Sequence, residues 1–246
     1  MASWIVHLRV AENLLQEIPG LDEARFAIGN IAPDSGIPDE KWETFTPPPE
    51  ISHFKVDENA LYPLGDLDFF RLHLAGTTLG PDANIIDPEL ALRFSFLLGY
   101  FFHILTDNLW TVRIGRPTKA RFAEKFAESW EFIWEVKRDW YGLDFLYLRE
   151  HPDSKIWRVF LGCDYEDDYL DMLPAEAVRQ RIHYIQAYYQ RNDDEIQKAF
   201  TRPYQYLSKA EMDNFVEETS TRLFQIYRCL FYKKVDPGEL TSALYF

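Results

Sequence analysis

The sequence predicts an all-α protein, built as one multi-helix domain around a buried central helix at about residues 88–109. Apolar residues recur at helical spacing along most of the chain, and Ile51 to Val56 is the only weak strand candidate. Residues 88–109 are apolar on every side, which is typical of a helix covered completely by its neighbours. No internal repeat or domain boundary is visible, so we expect residues 1–246 to form a single helical domain.

The first half of the chain begins and ends its helices with recognisable signals. Residues 4 to about 17 have helical apolar spacing, with Ser3 available as a cap and Pro19-Gly20 as the stop. A proline-rich segment follows and favours an extended loop up to Glu50. Another helix is expected from Asp66 to Ala75.

The central helix has a capping aspartate and a proline at its first position, Asp87 and Pro88. Arg93 interrupts its apolar run, which is shorter than a membrane-spanning helix requires. We therefore interpret it as a core helix and expect no transmembrane segment.

The second half, residues 117–246, is also predicted to be helical, and its role is left open because it contains no functional motif. Prolines at 152, 174 and 203 fall at the expected junctions between helices. The candidate helices are 118–140, 143–150, 153–162, 174–190 and 208–232.

Charge and composition exclude some classes of partner. Apolar residues make up 47% of the chain and charged residues 27%, as in ordinary globular proteins. The formal net charge of −14 argues against extended nucleic acid and anionic membranes as partners. A small phosphoester is not excluded, because bound cations can reverse the local field.

The cysteines and the first residues indicate a cytoplasmic protein. Cys163 and Cys229 match no zinc-ligand spacing, and we expect both to be reduced thiols. The opening Met-Ala-Ser-Trp-Ile-Val-His has neither a basic segment nor a long apolar run, so no signal peptide is expected.

His103 and Asp107 are the first candidates for chemistry. They are four residues apart on the central helix, which places both side chains on one face. A buried carboxylate without a partner is costly, and a metal ion would satisfy it and the imidazole together. The alternative is that the two residues pair with each other, or with Arg113 and Arg116.

Three further residues offer ligands of the same type. His7 lies on the first predicted helix, Asp34 lies in a turn-like Pro-Asp-Ser-Gly, and His53 follows the proline-rich loop. Each alone has an ordinary structural explanation, such as a core histidine or a turn aspartate. Together with His103 and Asp107, they make a set of three imidazoles and two carboxylates that suits zinc.

The order His7, Gly-Asn-Ile-Ala-Pro-Asp34, His53 and His103-x-x-x-Asp107 resembles the zinc-dependent phospholipase C family, which is related to the P1 nucleases. The resemblance covers roughly residues 4 to 110 and implies that family's all-helical fold. It also implies that Asp34, His53, His103 and Asp107 hold one metal, and that His7 helps to hold a second bridged by Asp107. No histidine lies between His103 and His151, so we expect one or two ions, zinc or another divalent metal.

The resemblance implies hydrolysis of a phosphoester or phosphodiester by metal-bound hydroxide, with Asp34 as the catalytic residue that orients or deprotonates the water. A small phosphoester is expected as substrate ahead of a phospholipid head-group. The alternative is a non-catalytic helical protein with a structural or vestigial metal site. A phosphohydrolase of the HD type is disfavoured because the chain has no adjacent His-Asp pair.

Overall fold

Residues 1–40, 44–77 and 87–246 are described by a computed structural model. Within these ranges the chain forms twelve α-helices and one short antiparallel sheet, in which β1 (Ile37–Pro38) pairs with β2 (Phe45–Thr46). The helices are α1 (Trp4–Glu17), α2 (Glu23–Gly29), α3 (Pro49–Ser52), α4 (Asp66–His73), α5 (Pro88–Trp110), α6 (Arg116–Arg121), α7 (Ala123–Glu128), α8 (Phe132–Glu150), α9 (Lys155–Leu161), α10 (Ala175–Tyr189), α11 (Asp194–Ala199) and α12 (Lys209–Tyr227). The prediction of an all-α protein is confirmed.

Helix α5 is the central core helix that the sequence predicts. Every residue from Phe94 to Trp110 is buried, so all of its faces are covered by other elements. Asp87 caps it by accepting a hydrogen bond from the backbone of Glu89. The continuous helical stretch Pro88–Arg121 is long and apolar enough to cross a membrane, but 72% of its most apolar window is buried inside the fold. That burial is typical of a core helix.

Two glycines bring α2 into close contact with α5. A Cβ atom at Gly29 would lie 2.1 Å from the carbonyl oxygen of Phe96, and one at Gly99 would lie 2.5 Å from that of Phe26. Any larger residue would force the two backbones apart. This crossing also fixes Asn30, the residue after α2, against the middle of α5.

The N-terminal helix occupies its predicted residues, but Ser3 does not cap it. The hydroxyl of Ser3 instead donates to the buried carboxyl of Asp144 on α8, at 2.7 Å. On the outer side of α1, Arg9 forms an ion pair at 2.6 Å with Asp213 of α12. The start of α1 is therefore fixed by contacts with the second half of the chain.

Two buried carboxyl groups connect distant segments. Asp66 accepts hydrogen bonds from Asn108, Ser242 and the backbone of Ala243, and so joins α4, α5 and the last residues of the chain. Asp144 accepts from Ser3 and, at 2.5 Å, from the hydroxyl of Tyr189. Burial raises the pKa of each of these carboxyl groups to about 7, against the opposing effect of the donors.

Several predicted boundaries in the second half are wrong. The single helix predicted at 118–140 is broken at Phe122 and again near Ser129, and α8 then runs through residues predicted to be a separate helix at 143–150. Helix α11 was not predicted. The helix predicted at 208–232 is α12 with a π-helical turn, Arg228–Tyr232, at its end.

The weak strand candidate Ile51 to Val56 is also wrong. Pro49–Ser52 forms a turn of helix, and only an isolated β-bridge between Lys55 and Leu64 falls within the candidate segment. The two strands lie earlier, in the proline-rich segment. The apolar residues Ile51 and Val56 are 50% and 58% exposed. They contribute nothing to a core, so their hydrophobicity gives no information about the local backbone.

We expect Gly29→Ala and Gly99→Ala each to destabilise the protein by roughly 2 kcal/mol or more, because the added methyl group overlaps backbone atoms of the partner helix. Gly115→Ala is the matched control, since its nearest new contact would be at an ordinary 3.7 Å. Urea unfolding measures the three free energies. Equal values for all three variants would contradict a tight contact between α2 and α5.

We expect Asp144→Asn to change how stability depends on pH. The pKa of Asp144 is raised to about 7 in the folded protein, whereas an unfolded aspartate titrates near about 4. The folded protein therefore holds this proton more tightly. The contribution of Asp144 to the free energy of unfolding is fully present below about pH 4 and is lost as the pH rises through about 7.

Asparagine stays neutral and removes that loss. Relative to the parent, the free energy of unfolding of the variant should rise by on the order of 1 kcal/mol per pH unit between about pH 4 and pH 7, and should rise no further above about pH 7. Unfolding of both proteins at about pH 5.5, 6.5 and 8 measures the difference between their free energies of unfolding. A variant that is less stable by the same amount at every pH would mean that Asp144 is ionised in the folded protein.

Candidate metal centre

The five predicted ligand residues come together at one place in the fold. His7 lies on α1, His103 and Asp107 lie on α5, and His53 directly follows α3. Asp34 is at the end of a short 3-10 turn, Ala32–Asp34, just after α2. Four separate segments of the chain therefore contribute to one cluster.

Asp107 lies at the centre of this cluster. One of its carboxylate oxygens, Oδ1, is 3.4 Å from Nε2 of His7. The other, Oδ2, is 3.4 Å from Nε2 of His103 and 3.6 Å from Nε2 of His53. The two oxygens thus face different histidines.

Asp34 approaches the cluster from the side of His53. Its Oδ1 is 3.2 Å from Nε2 of His53, which is in turn 3.3 Å from Nε2 of His103. Two overlapping groups result, one of His7, His103 and Asp107 and one of Asp34, His53 and His103. Within each group, the potential ligand atoms all lie within 4.8 Å of one another.

Backbone carbonyl groups orient two of the imidazole rings. Nδ1 of His103 is 2.7 Å from the carbonyl oxygen of Asn30, and Nδ1 of His53 is 3.1 Å from that of Pro49. A carbonyl oxygen can only accept, so Nδ1 of His103 carries the proton; Nδ1 of His53 can donate to its carbonyl in the same way, and the hydroxyl of Ser52 also lies 3.1 Å from it. In the neutral rings, the lone pair is then on Nε2, directed into the cluster, which is the usual arrangement of metal-binding histidines.

The carboxylates are held in place as well. The indole N–H of Trp4 donates to Oδ2 of Asp34 at 2.9 Å, and the backbone N–H of Ala2 donates to Oδ1 of Asp107 at 2.6 Å. These donors leave Oδ1 of Asp34 and Oδ2 of Asp107 directed at the histidines. The first turn of α1 and the residues before it therefore orient both carboxylates.

The cluster contains buried polar atoms with no hydrogen-bond partner. Both ring nitrogens of His7 and Oδ2 of Asp107 are in this state. The two lone pairs on Nε2 of His53 and His103 also face each other at 3.3 Å and repel unless a proton or a cation lies between them. Such groups are costly to bury, and a divalent cation would satisfy them at once. The donor set therefore fits a metal such as zinc.

The electrostatics of the cluster favour the ligand forms of His7, Asp34 and Asp107. Burial, together with the charge of His103, lowers the pKa of His7 to about 4, so this imidazole is neutral near pH 7. Burial alone would raise the pKa of Asp34, but His53 and His103 hold it below its usual range. Burial alone would raise the pKa of Asp107, but the positive charge of the N-terminal amine, and then of His103, holds it well below its usual range. Burial alone would lower the pKa of His103, but the carboxylate of Asp107, together with that of Asp34, outweighs burial and raises it, so a metal ion must displace a proton from this ring.

A cavity of about 170 Å³ opens beside the cluster. Asp34 and His53 form part of its wall, whereas His7, His103 and Asp107 lie deeper and are fully buried. The second half of the chain also lines the cavity, with Lys137, Tyr141 and Arg181 among its residues there. The cavity is therefore the route by which a small molecule can reach Asp34 and His53.

Lys137 on α8 and Arg181 on α10 bring positive charge to this cavity. Burial lowers the pKa of Lys137, while the carboxylates of Asp34 and Asp107 oppose that effect. The guanidinium of Arg181 lies 5.7 Å from the ring centroid of Trp4 and donates to the carbonyl of Gly36. Sequence analysis missed both residues, because a single Lys or Arg on a helix has no distinguishing pattern.

The remaining histidines lie outside the cluster. His73 packs against the ring of Phe69 with a centroid separation of 4.7 Å. His151 packs on Tyr147, and His183 faces Asp164 at the surface. Among the described residues, their contacts are those of ordinary structural or surface side chains.

No family model matches this chain, and neither the curated proteins nor the solved structures include one that is similar to it. The resemblance to the zinc-dependent phospholipase C family therefore rests on His7, Asp34, His53, His103 and Asp107 and on their order along the chain.

Proposed function

We propose that this protein is a metal-dependent hydrolase of a phosphoester or phosphodiester, with zinc as the favoured ion and a fold like that of phospholipase C and P1 nuclease. One observation carries the proposal. Five side chains of the zinc-ligand type, from four separate segments, converge beside a cavity that also contains two cationic side chains.

The contacts of Asp107 support a site for one or two ions. Its Oδ2 faces His53 and His103, and its Oδ1 faces His7. One ion would be held by Asp34, His53, His103 and Asp107, and a second by His7 and Asp107. Bound zinc would supply an acidified water and positive charge for the phosphoryl oxygens.

Asp34 is the side chain that we propose as catalytic. It lies at the cavity wall, and Trp4 fixes one of its oxygens. Its lowered pKa keeps it ionised near neutral pH, so it can accept a hydrogen bond and orient the attacking water. A carboxylate with so low a pKa is a weak base, so orientation is the larger part of its role.

Lys137 and Arg181 supply positive charge to the lining of the cavity. A phosphoester that enters the cavity would meet these side chains as well as a metal held by the cluster. Fixed positive charge around a phosphoryl group stabilises the extra charge that develops in the transition state. The cavity therefore suits an anionic substrate, although the chain as a whole is strongly acidic.

A structural metal site is the rival proposal, and one observation favours it. His7, His103 and Asp107 are completely buried. An ion held by these three alone would have no open position for water or substrate, as in structural zinc sites. Asp34 and His53 distinguish the two proposals because they line the cavity. An ion that they help to hold would be open to water and substrate, as catalysis requires.

Protein purified without chelator should contain about one or two zinc ions per chain by mass spectrometry. His103→Gln with Asp107→Asn should lose this metal, because both substitutions remove ligand atoms while conserving shape. The matched control is His183→Gln with Asp164→Asn, an exposed pair at 3.5 Å outside the cluster. If the protein neither contains nor takes up zinc or manganese, both metal proposals fail.

Zinc-loaded protein should hydrolyse bis(p-nitrophenyl) phosphate, and Lys137→Met should lower kcat/KM roughly 100-fold without loss of metal, because a fixed charge near the phosphoryl group is removed. Lys119→Met, on the exposed face of α6, is the control. Release of p-nitrophenol measures the rates. Bound zinc without turnover on phosphomonoesters and phosphodiesters would leave the structural site as the better proposal.

A further inference from the structure

A second cavity, of about 430 Å³, lies next to the first, and we name it the basic groove. The two share Lys137 and Tyr141 as lining residues, so they adjoin along α8. The groove lies between α8 and the segment from the end of α10 to Arg202. Its charged lining residues are Lys137, Arg138, Arg191, Lys198 and Arg202, with Glu195 as the only acid in this lining.

The charge of this groove is opposite to that of the whole chain, which has 40 acidic residues against 26 lysines and arginines. In such a chain most cations have acidic side chains near them. Among the described residues, however, Lys137, Arg138 and Lys198 form no ion pair. Arg191 is paired with Asp193 and Glu195 at the outer edge.

The inner part of the groove holds its cations in fixed positions. Arg202 donates to the backbone carbonyl of Arg138 and lies 3.4 Å from Asp139, and its Nε is buried without a partner. Gly142 makes room for Arg202, because a Cβ atom there would lie 2.9 Å from its guanidinium. Such positioning lowers the entropy lost when an anion binds.

Aromatic rings position two further cations of the groove. The ammonium of Lys137 is 5.0 Å from the ring centroid of Trp134, and the guanidinium of Arg191 is 5.1 Å from that of Tyr188. The indole of Trp134 is itself 56% exposed. The groove thus presents oriented positive charge on partly apolar walls.

We propose that the basic groove binds a second phosphate group of the substrate, and that the substrate is a small molecule with at least two phosphates. One phosphate would be at the metal cluster and the other among Arg138, Lys198 and Arg202. This inference rests on the proposed function for the first phosphate, whereas the groove and its charge do not depend on it. Two linked contacts bind more tightly than one, because the second becomes intramolecular.

Calorimetric titration of the zinc-loaded full chain tests the proposal. The ligands are hexyl phosphate and the bisphosphates of butanediol, hexanediol and octanediol, which cover a range of spacings. The best bisphosphate should bind roughly tenfold or more tightly than hexyl phosphate. In Arg138→Gln/Lys198→Gln this advantage should fall to roughly the twofold expected from having two equivalent ends.

The control removes the same charges elsewhere. Arg228→Gln/Lys233→Gln alters two exposed side chains outside the groove and should keep the full advantage of the bisphosphate. The proposal is overturned if no bisphosphate exceeds the roughly twofold advantage over hexyl phosphate that two equivalent ends give, or if both double variants lose the advantage equally. Hydrolysis of bis(p-nitrophenyl) phosphate, which has one phosphate, is followed in parallel. Its absence would refute the proposed function, whereas a bisphosphate advantage that only the groove variant loses would still support the groove.

Discussion

The buried carboxylate of Asp107 is the constraint on which the rest of this structure depends. It lies in the middle of a helix that is covered on all sides, where an ionised group is stable only with nearby positive charge or donors. The backbone N–H of Ala2 donates to it. His7, His53 and His103 place their Nε2 atoms within 3.6 Å of it from three separate elements, so a cation held among these groups would supply the remaining charge. The positions of α1 and of the segment after β2 are therefore tied to this one side chain on α5.

That dependence extends outward through backbone contacts. His103 is directed by the carbonyl of Asn30, and Asn30 is fixed by the close crossing of α2 and α5 at Gly29 and Gly99. The donors to Asp34 and Asp107 come from the start of α1, which Asp144 holds through Ser3. The geometry of the cluster is thus a consequence of helix packing, and a packing defect far from the cluster would change the distances within it.

The two halves of the chain contribute different chemistry to the same cavity. Residues up to 110 supply imidazoles and carboxylates, the groups that hold divalent metals. Residues after 130 supply lysine, arginine and aromatic side chains on α8 and α10, and the basic groove continues that surface. An acidic protein can in this way present local positive charge to an anionic ligand, since charges act mainly over short distances in salt solution.

The sequence by itself determined the central helix, its cap at Asp87, and the pairing of His103 with Asp107, because these depend on local spacing and on hydrophobic pattern. The order of ligand-type residues also indicated His7, Asp34 and His53 as their companions. Only the tertiary structure decided that Lys137 and Arg181 line the cavity beside the cluster, that the basic groove adjoins this cavity, and that the helix predicted at 118–140 breaks at Phe122. The cavity and the groove depend on contacts between segments far apart in the chain, such as those of Asp34, Lys137 and Arg181. Local sequence patterns carry no information about such contacts.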